Sequence, residues 1–130
     1  MGAMEDVIGK LKDIDGFIAA GAFASNGEML SQVANSGVSL AELGALANDV
    51  LLKAQNSTDI MGVGRGNQVH IEAPKANILV RCLNENTDFA ANEPGRAHVH
   101  MVLLLEKEGN VGLAKLRLNS VVQEVAPLCR

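Results

Sequence analysis

The sequence predicts a single α/β domain in which three helices and five strands follow the order α-β-β-α-β-β-β-α. Its 130 residues have the length of one domain. Its 48% of hydrophobic residues is enough to build a buried core. Segments with the apolar spacing of helices and segments with the apolar pattern of strands follow one another along the chain, and turn-forming residues separate them. We therefore assign residues 1–130 to one domain, in which residues 1–3 are expected to be an addition before a natural start at Met4.

The first quarter of the chain predicts a short helix followed by a hairpin. Residues 5–11 place their apolar side chains on one helical face. Residues 17–24 are apolar at both alternating positions, which is typical of a strand covered on both faces. Asn26 and Gly27 form a pair that tolerates the positive φ of a tight turn, and residues 28–33 resume a strand pattern. The spacing therefore predicts a β-hairpin.

A second helix is predicted over residues 40–57. Ser39 has the position of an N-cap, and Glu42 follows three residues later, as in a capping box. Val38 and Leu43 have the two positions of a hydrophobic staple.

The predicted second helix carries more apolar surface than one core contact requires. Its main stripe consists of Leu43, Ala47, Val50, Leu51 and Ala54. Leu46 and Leu52 widen this stripe. The excess predicts a second buried face, which self-association could supply.

The second half of the chain predicts three strands and a final helix. Residues 67–73 alternate polar and apolar side chains, as an edge strand does, and residues 76–83 form a more apolar strand. Residues 99–105 are almost entirely Val, Met and Leu, which predicts a central strand. Asn110 then has the position of an N-cap, and Pro127 is expected to end the last helix.

Several of these local patterns occur together in one known family. The run Asp13-Ile14-Asp15-Gly16-Phe17 leads into the hairpin with Asn26-Gly27, and an amphipathic helix begins near Ser39. The run Gly109-Asn110-Val111-Gly112-Leu113-Ala114 follows an apolar strand. Together they resemble the Roadblock family of dynein light chains and its prokaryotic relatives, over nearly the whole chain.

The resemblance implies a Roadblock/profilin-like fold, with a five-stranded antiparallel sheet, the middle helix on one face and the terminal helices on the other. It also implies a homodimer in which the middle helices pack together and the third strands pair edge to edge. Prokaryotic members are linked to small Ras-like GTPases as regulators or platforms, so a GTPase is the expected partner. The side chains that we expect at the dimer interface are Leu43, Leu46, Ala47, Val50, Val69 and Ile71.

Composition excludes several classes of partner. The chain has 11 basic and 15 acidic residues and only three aromatic ones, all Phe, which argues against nucleic-acid binding. No basic amphipathic segment predicts a membrane-binding surface, and no apolar run approaches the length of a membrane span. Cys82 and Cys129 are isolated thiols, which is typical of a reducing compartment and predicts a cytoplasmic protein.

One alternative function follows from the histidines. His98 and His100 share a strand face, and His70 and Cys82 lie on strands that could be their neighbours. A small-ligand-binding or metal-binding α/β domain using His70, His98 and His100 is therefore the second hypothesis, although no close ligand spacing supports zinc. No catalytic constellation, resident cofactor or metal site is predicted. In particular, the glycine-rich residues 62–67 follow a helix instead of opening one, unlike a phosphate-binding loop.

Overall fold

A computed structural model describes residues 2–24, 28–35, 37–64, 66–82, 99–125 and 128. The secondary structure elements are α1 (Ala3–Ile8), a 3₁₀ helix (Gly9–Asp13), β1 (Phe17–Ala24), β2 (Met29–Ala34), α2 (Gly44–Ile60), β3 (Gln68–Glu72), β4 (Ala76–Cys82), β5 (Val99–Glu106) and α3 (Val111–Val125). The predicted order is confirmed, with the 3₁₀ helix as an addition. Among the described residues, no helix is long and apolar enough to cross a membrane.

The five strands form one antiparallel sheet in the order β2-β1-β5-β4-β3. β5 lies in the middle, as its continuous apolar run predicts, because a strand covered on both faces needs no polar side. β3 lies at an edge, which its half-polar pattern predicts. The antiparallel pairing of β1 with β2 confirms the hairpin, and the predicted Asn26-Gly27 turn lies outside the described residues.

Helices cover both faces of the sheet. On one face, α1 and α3 bury Ile8 and Leu118 against strand residues such as Leu103. On the other face, Leu40 and Leu51 pack with strand residues that include Val80 and Val102. The layered arrangement that the resemblance implies is therefore confirmed. Leu79 and Val80 are neighbours in one strand and belong to opposite cores, which follows from the alternation of side chains along a strand.

The two glycine-containing turns that carry the resemblance touch each other. Gly16 has a φ of 88°, and a Cβ atom added to it would lie 2.5 Å from the Cα of Gly109. The amide of Glu106 donates to the Gly16 carbonyl at 2.7 Å, and the amide of Asn110 donates to the Asp15 carbonyl at 3.0 Å. This contact joins the start of β1 to the turn between β5 and α3. The predicted cap of α3 is also confirmed, because the Asn110 Oδ1 accepts from the Leu113 amide at 3.1 Å.

The predicted start of the middle helix is wrong. α2 begins at Gly44, after a turn at residues 41–43, and its N-cap residue Leu43 makes no side-chain capping bond. The Ser39 hydroxyl instead accepts from the Ala41 amide at 3.3 Å, so it caps the turn. The Leu40 amide donates to the Gln32 side chain at 2.9 Å, while the Leu40 side chain is completely buried. Residues 38–43 thus form a segment before the helix that places the Leu40 side chain in the core.

Candidate interaction site

The middle helix leaves one flank uncovered. Ala47 and Leu51 are buried against the sheet, as the predicted stripe requires. Leu46 and Val50, on the neighbouring side of the helix, remain 61% and 38% exposed. A helix that packs against a single layer normally has polar residues at such positions. The surplus apolar surface predicted from the sequence is therefore present on the folded chain.

A groove runs between this flank and the sheet. Its volume is about 90 Å³, and it is lined by Leu43, Leu46, Ala47, Val50, Ile78, Val80 and Val102. Every lining side chain is aliphatic or alanine, so the groove has no polar group to orient a ligand. Pockets for drug-sized molecules usually hold roughly 300–1,000 Å³ with a few placed polar groups. The groove therefore suits apolar side chains of another protein better than a small molecule.

The edge strand extends the same surface. Val69 pairs with Val80, and Ile71 pairs with Ile78, so all four side chains lie on the α2 face of the sheet. Val69 and Ile71 are partly buried. In the part of the chain that the structure describes, β3 has a neighbouring strand on one side only. An edge strand of this kind presents backbone donors and acceptors that a second strand could pair with.

All six predicted interface residues thus lie on one side of the sheet. Leu43, Leu46, Ala47 and Val50 come from the α2 segment, and the two β3 residues lie along the adjacent edge. Their role in dimerisation stays a prediction. Sequence reasoning missed the groove residues Ile78, Val80 and Val102, because assigning them to the α2 face requires the register of the sheet.

A polar network lies on the α3 face of the sheet, at the edge formed by β3 and β4. The Asn77 amide nitrogen donates to the carbonyls of Lys107, at 3.0 Å, and Glu106, at 3.4 Å. Asn77 Oδ1 therefore remains to accept from His70 Nε2, 3.0 Å away, which places the hydrogen on that ring nitrogen. Lys107 also donates to Glu72 at 2.9 Å. These bonds tie β3 and β4 to the turn that follows β5.

The ion pair in this network gives a titration that can be measured. The Lys107 ammonium, through its hydrogen bond and its charge, lowers the pKa of the Glu72 carboxyl. The stabilisation from the pair is therefore present above the normal carboxyl pKa and is lost as the pH falls through the lowered value. We expect carbon-detected NMR to show the Glu72 carboxyl titrating below the ordinary range of a glutamate side chain. Lys107→Met should return the Glu72 midpoint to the normal range, and an unchanged midpoint would contradict the assignment.

The histidines do not form one site. His70 pairs with Leu79 on the α3 face of β3, whereas His100 pairs with Cys82 on the α2 face of β5. A sheet separates their side chains, so they cannot bind one ion together. His98 lies outside the described residues. Within the described ranges, the structure contains no group of three or more His, Cys, Asp or Glu placed to hold a metal ion. The residue set of the alternative hypothesis is therefore wrong.

A buried arginine is the main polar feature that the sequence did not indicate. Arg81 is 8% exposed, and its guanidinium donates to Asn119 Oδ1 at 2.7 Å and to Asn67 Oδ1 at 3.4 Å. These bonds connect β4 to α3 and to the residue before β3. A charged residue in a strand is normally read as exposed, so only the packing of α3 identifies it as buried.

Comparisons with known proteins establish the fold. No family model matches the chain, and no curated protein matches it. Among solved structures, a Roadblock/LC7 domain from Streptomyces avermitilis has a TM-score of 0.77 at 15% identity, with 95% of each chain covered. The gliding protein MglB from Thermus thermophilus has a TM-score of 0.76 at 15% identity, with 99% of this chain and 93% of that chain covered.

A structure described as MglB with a tetrameric arrangement gives a TM-score of 0.79 at 16% identity, covering 99% of this chain and 92% of that one. At such identities the likeness concerns the fold. The chain therefore has the Roadblock/LC7 fold, as its turns and apolar pattern indicated.

Proposed function

We propose that this chain is a non-enzymatic, homodimeric regulatory or scaffolding domain that binds a small Ras-like GTPase in the cytoplasm. The observation that carries the proposal is the open apolar groove between α2 and the sheet, next to the side of β3 on which the described residues supply no strand. Its aliphatic lining suits contact with another protein and offers no group for acid–base chemistry.

Self-association accounts for two features at once. A two-fold axis beside α2 and β3 places the same surface of a second copy on the groove. Leu46 and Val50 then become buried, and the backbone groups at the edge of β3 find partners in an antiparallel strand. The neighbouring MglB structure with a tetrameric arrangement is consistent with a fold that assembles.

The GTPase partner is supported by the resemblance to prokaryotic Roadblock proteins and by the fold shared with MglB. A regulator can act by changing the rate of hydrolysis or by holding the GTPase in place. In both roles it must bind the GTPase. It can do so through contacts that differ between the GDP-bound and GTP-bound states, or through a GTPase surface that is the same in the two states.

Binding to a GTPase is tested with Ras-like GTPases encoded in the same genome. Each is loaded with GDP or with a non-hydrolysable GTP analogue and titrated with this protein in a calorimeter. We expect at least one GTPase to bind with micromolar affinity or better, and the hydrolysis rate with and without the protein then separates a GTPase-activating role from a platform role. Absence of binding to every such GTPase in both nucleotide states would contradict the proposed partner.

A further inference from the structure

A second groove lies in the helical layer on the other face of the sheet, between the 3₁₀ helix and α3. Its volume is about 310 Å³, which reaches the lower end of the range for small-molecule sites. Charged and polar side chains form most of its lining, in contrast to the apolar groove beside α2. We call it the charged groove, and its lining residues are Lys10, Asp13, Arg117, Ser120, Val121 and Glu124.

The two helices that form the charged groove run in opposite directions. The Asn110 amide, just before α3, donates to the carbonyl of Asp15, just after the 3₁₀ helix, at 3.0 Å. At the other end of the charged groove, Lys10 Nζ donates to Glu124 Oε1 at 2.7 Å. Asp13 ends the 3₁₀ helix and therefore lies towards the start of α3.

One pair of opposite charges in the charged groove is closed, and the other is open. Arg117 precedes Glu124 by two turns of α3, about 10 Å, so it lies at the Asp13 end. Among the described residues, the side chains of Asp13 and Arg117 form no ion pair or hydrogen bond with each other or with a third residue. Arg117 is partly buried, so its guanidinium has lost part of its hydration without gaining an acceptor from the described chain.

The charge balance of the charged groove limits the class of ligand. A phosphate or a simple carboxylate would face Asp13 as well as Arg117, and like charges repel. A metal ion would face the two cationic side chains, and the described ranges hold no group of three or more His, Cys, Asp or Glu placed to bind one. A ligand with one positive and one negative group satisfies both open charges at once.

We propose that the charged groove binds a small zwitterion of the α-amino acid class. The carboxylate of the ligand accepts from the Arg117 guanidinium, whose planar N–H groups can donate to both oxygens. The ammonium of the ligand donates to the Asp13 carboxylate, and the Ser120 hydroxyl offers a further hydrogen bond. Val121 is buried and lines the charged groove, so it supplies an apolar contact for the carbon atoms of the ligand.

The closed ion pair favours a small ligand over a segment of another protein. The Lys10–Glu124 pair crosses from the 3₁₀ helix to α3, so a polypeptide lying along the charged groove would have to pass over the pair or separate it. The described lining also has no large apolar side chain of the kind that anchors protein contacts. The charged groove lies away from α2 and β3, so this proposal does not depend on the proposed homodimer or on its GTPase partner.

NMR titration of the isotopically labelled full chain with single α-amino acids tests the proposal. We expect at least one amino acid to shift the backbone amides of residues 10–13 and 117–124 saturably, with a Kd of about 1 mM or below. Arg117→Gln and Asp13→Asn should each raise that Kd by about tenfold or more, because each removes one of the two charge contacts. Arg117→Lys keeps the charge and removes the planar donor group, so it should weaken binding less than Arg117→Gln.

Two kinds of control accompany the titration. Lys75→Gln and Glu42→Gln make the same charge changes at exposed positions outside the charged groove and should leave the Kd unchanged. Acetate and methylammonium each carry only one of the two charges and should not reproduce the saturable shifts. Circular dichroism confirms that each variant is folded.

Three results would overturn the proposal. The first is the absence of saturable shifts with every amino acid. The second is a shift pattern that acetate alone reproduces, since the charged groove would then accept any carboxylate. The third is binding that survives both Arg117→Gln and Asp13→Asn, since the ligand would then lie elsewhere.

Discussion

Replacing Val50 with aspartate is expected to dissociate the proposed homodimer into monomers at micromolar concentration. Val50 lines the groove and is 38% exposed in the protomer, so it lies at the junction between the core and the proposed interface. Burying an unpaired carboxylate there is costly, and the two-fold axis introduces two of them. A penalty of about 3 kcal/mol raises Kd by a factor of roughly 100.

Sedimentation velocity over a range of concentrations measures the effect of Val50→Asp. The matched control is Leu116→Asp, since Leu116 is 71% exposed on α3, on the other face of the sheet, and an aspartate there should leave the dimer unchanged. Circular dichroism confirms that each variant is folded. A Val50→Asp protein that remains dimeric would contradict the proposed interface. A parent protein that is already monomeric would contradict the proposed homodimer.

The strands, and whether β5 and β3 lie inside or at the edge of the sheet, could be predicted because their own residues indicate it. The continuous apolar run of β5 excludes an edge position, and the alternation in β3 between Val69, His70 and Ile71 excludes burial on both faces. The cap at Asn110 was also predictable, since a capping side chain bonds to amides within the same turn.

Features that depend on distant residues could not be predicted. The residues around Ser39 match a capping pattern locally, but the Leu40 amide donates to the side chain of Gln32 in β2, and Leu40 is buried. The helix therefore begins later, at Gly44. Arg81 is buried where β4 packs against α3, and Asn119 of α3 accepts from its guanidinium. One side of the groove could be predicted, because the α2 residues follow from helical spacing. The other side could not, because Ile78 and Val102 line the groove as a result of the register between the strands.

The exposed apolar residues at the C-terminal end of α2 show a different limit. Ile60, Met61 and Val63 lie beyond the end predicted for the middle helix, in a stretch whose glycines suggested only a helix end and a turn. A hydrophobic pattern in the sequence does not show that these residues are exposed. The same residues would be buried if a further helix or strand packed over them. The surplus of aliphatic residues in the composition is therefore divided between the groove and the exposed C-terminal end of α2.

Replacing Gly16 with alanine is expected to destabilise the fold by about 3 kcal/mol, because two costs add. Gly16 has a φ of 88°, a conformation that L-residues adopt with strain, and its added Cβ would lie 2.5 Å from the Cα of Gly109. Backbone cannot move aside as a flexible side chain can, so the turns of β1 and α3 would have to separate. Thermal unfolding should shift down by about 10 °C.

Gly112→Ala is the control for Gly16→Ala, since Gly112 lies in α3 and its added Cβ meets only Asn110 Oδ1, at 3.8 Å. Alanine favours the helix there, so the melting temperature should stay the same or rise slightly. Gly109→Ala should also destabilise, because its Cβ would lie 2.9 Å from the Asp15 carbonyl oxygen. The double variant Gly16→Ala/Gly109→Ala should cost less than the sum of the single changes, since both disrupt one contact. Full additivity would mean that the two turns do not depend on each other.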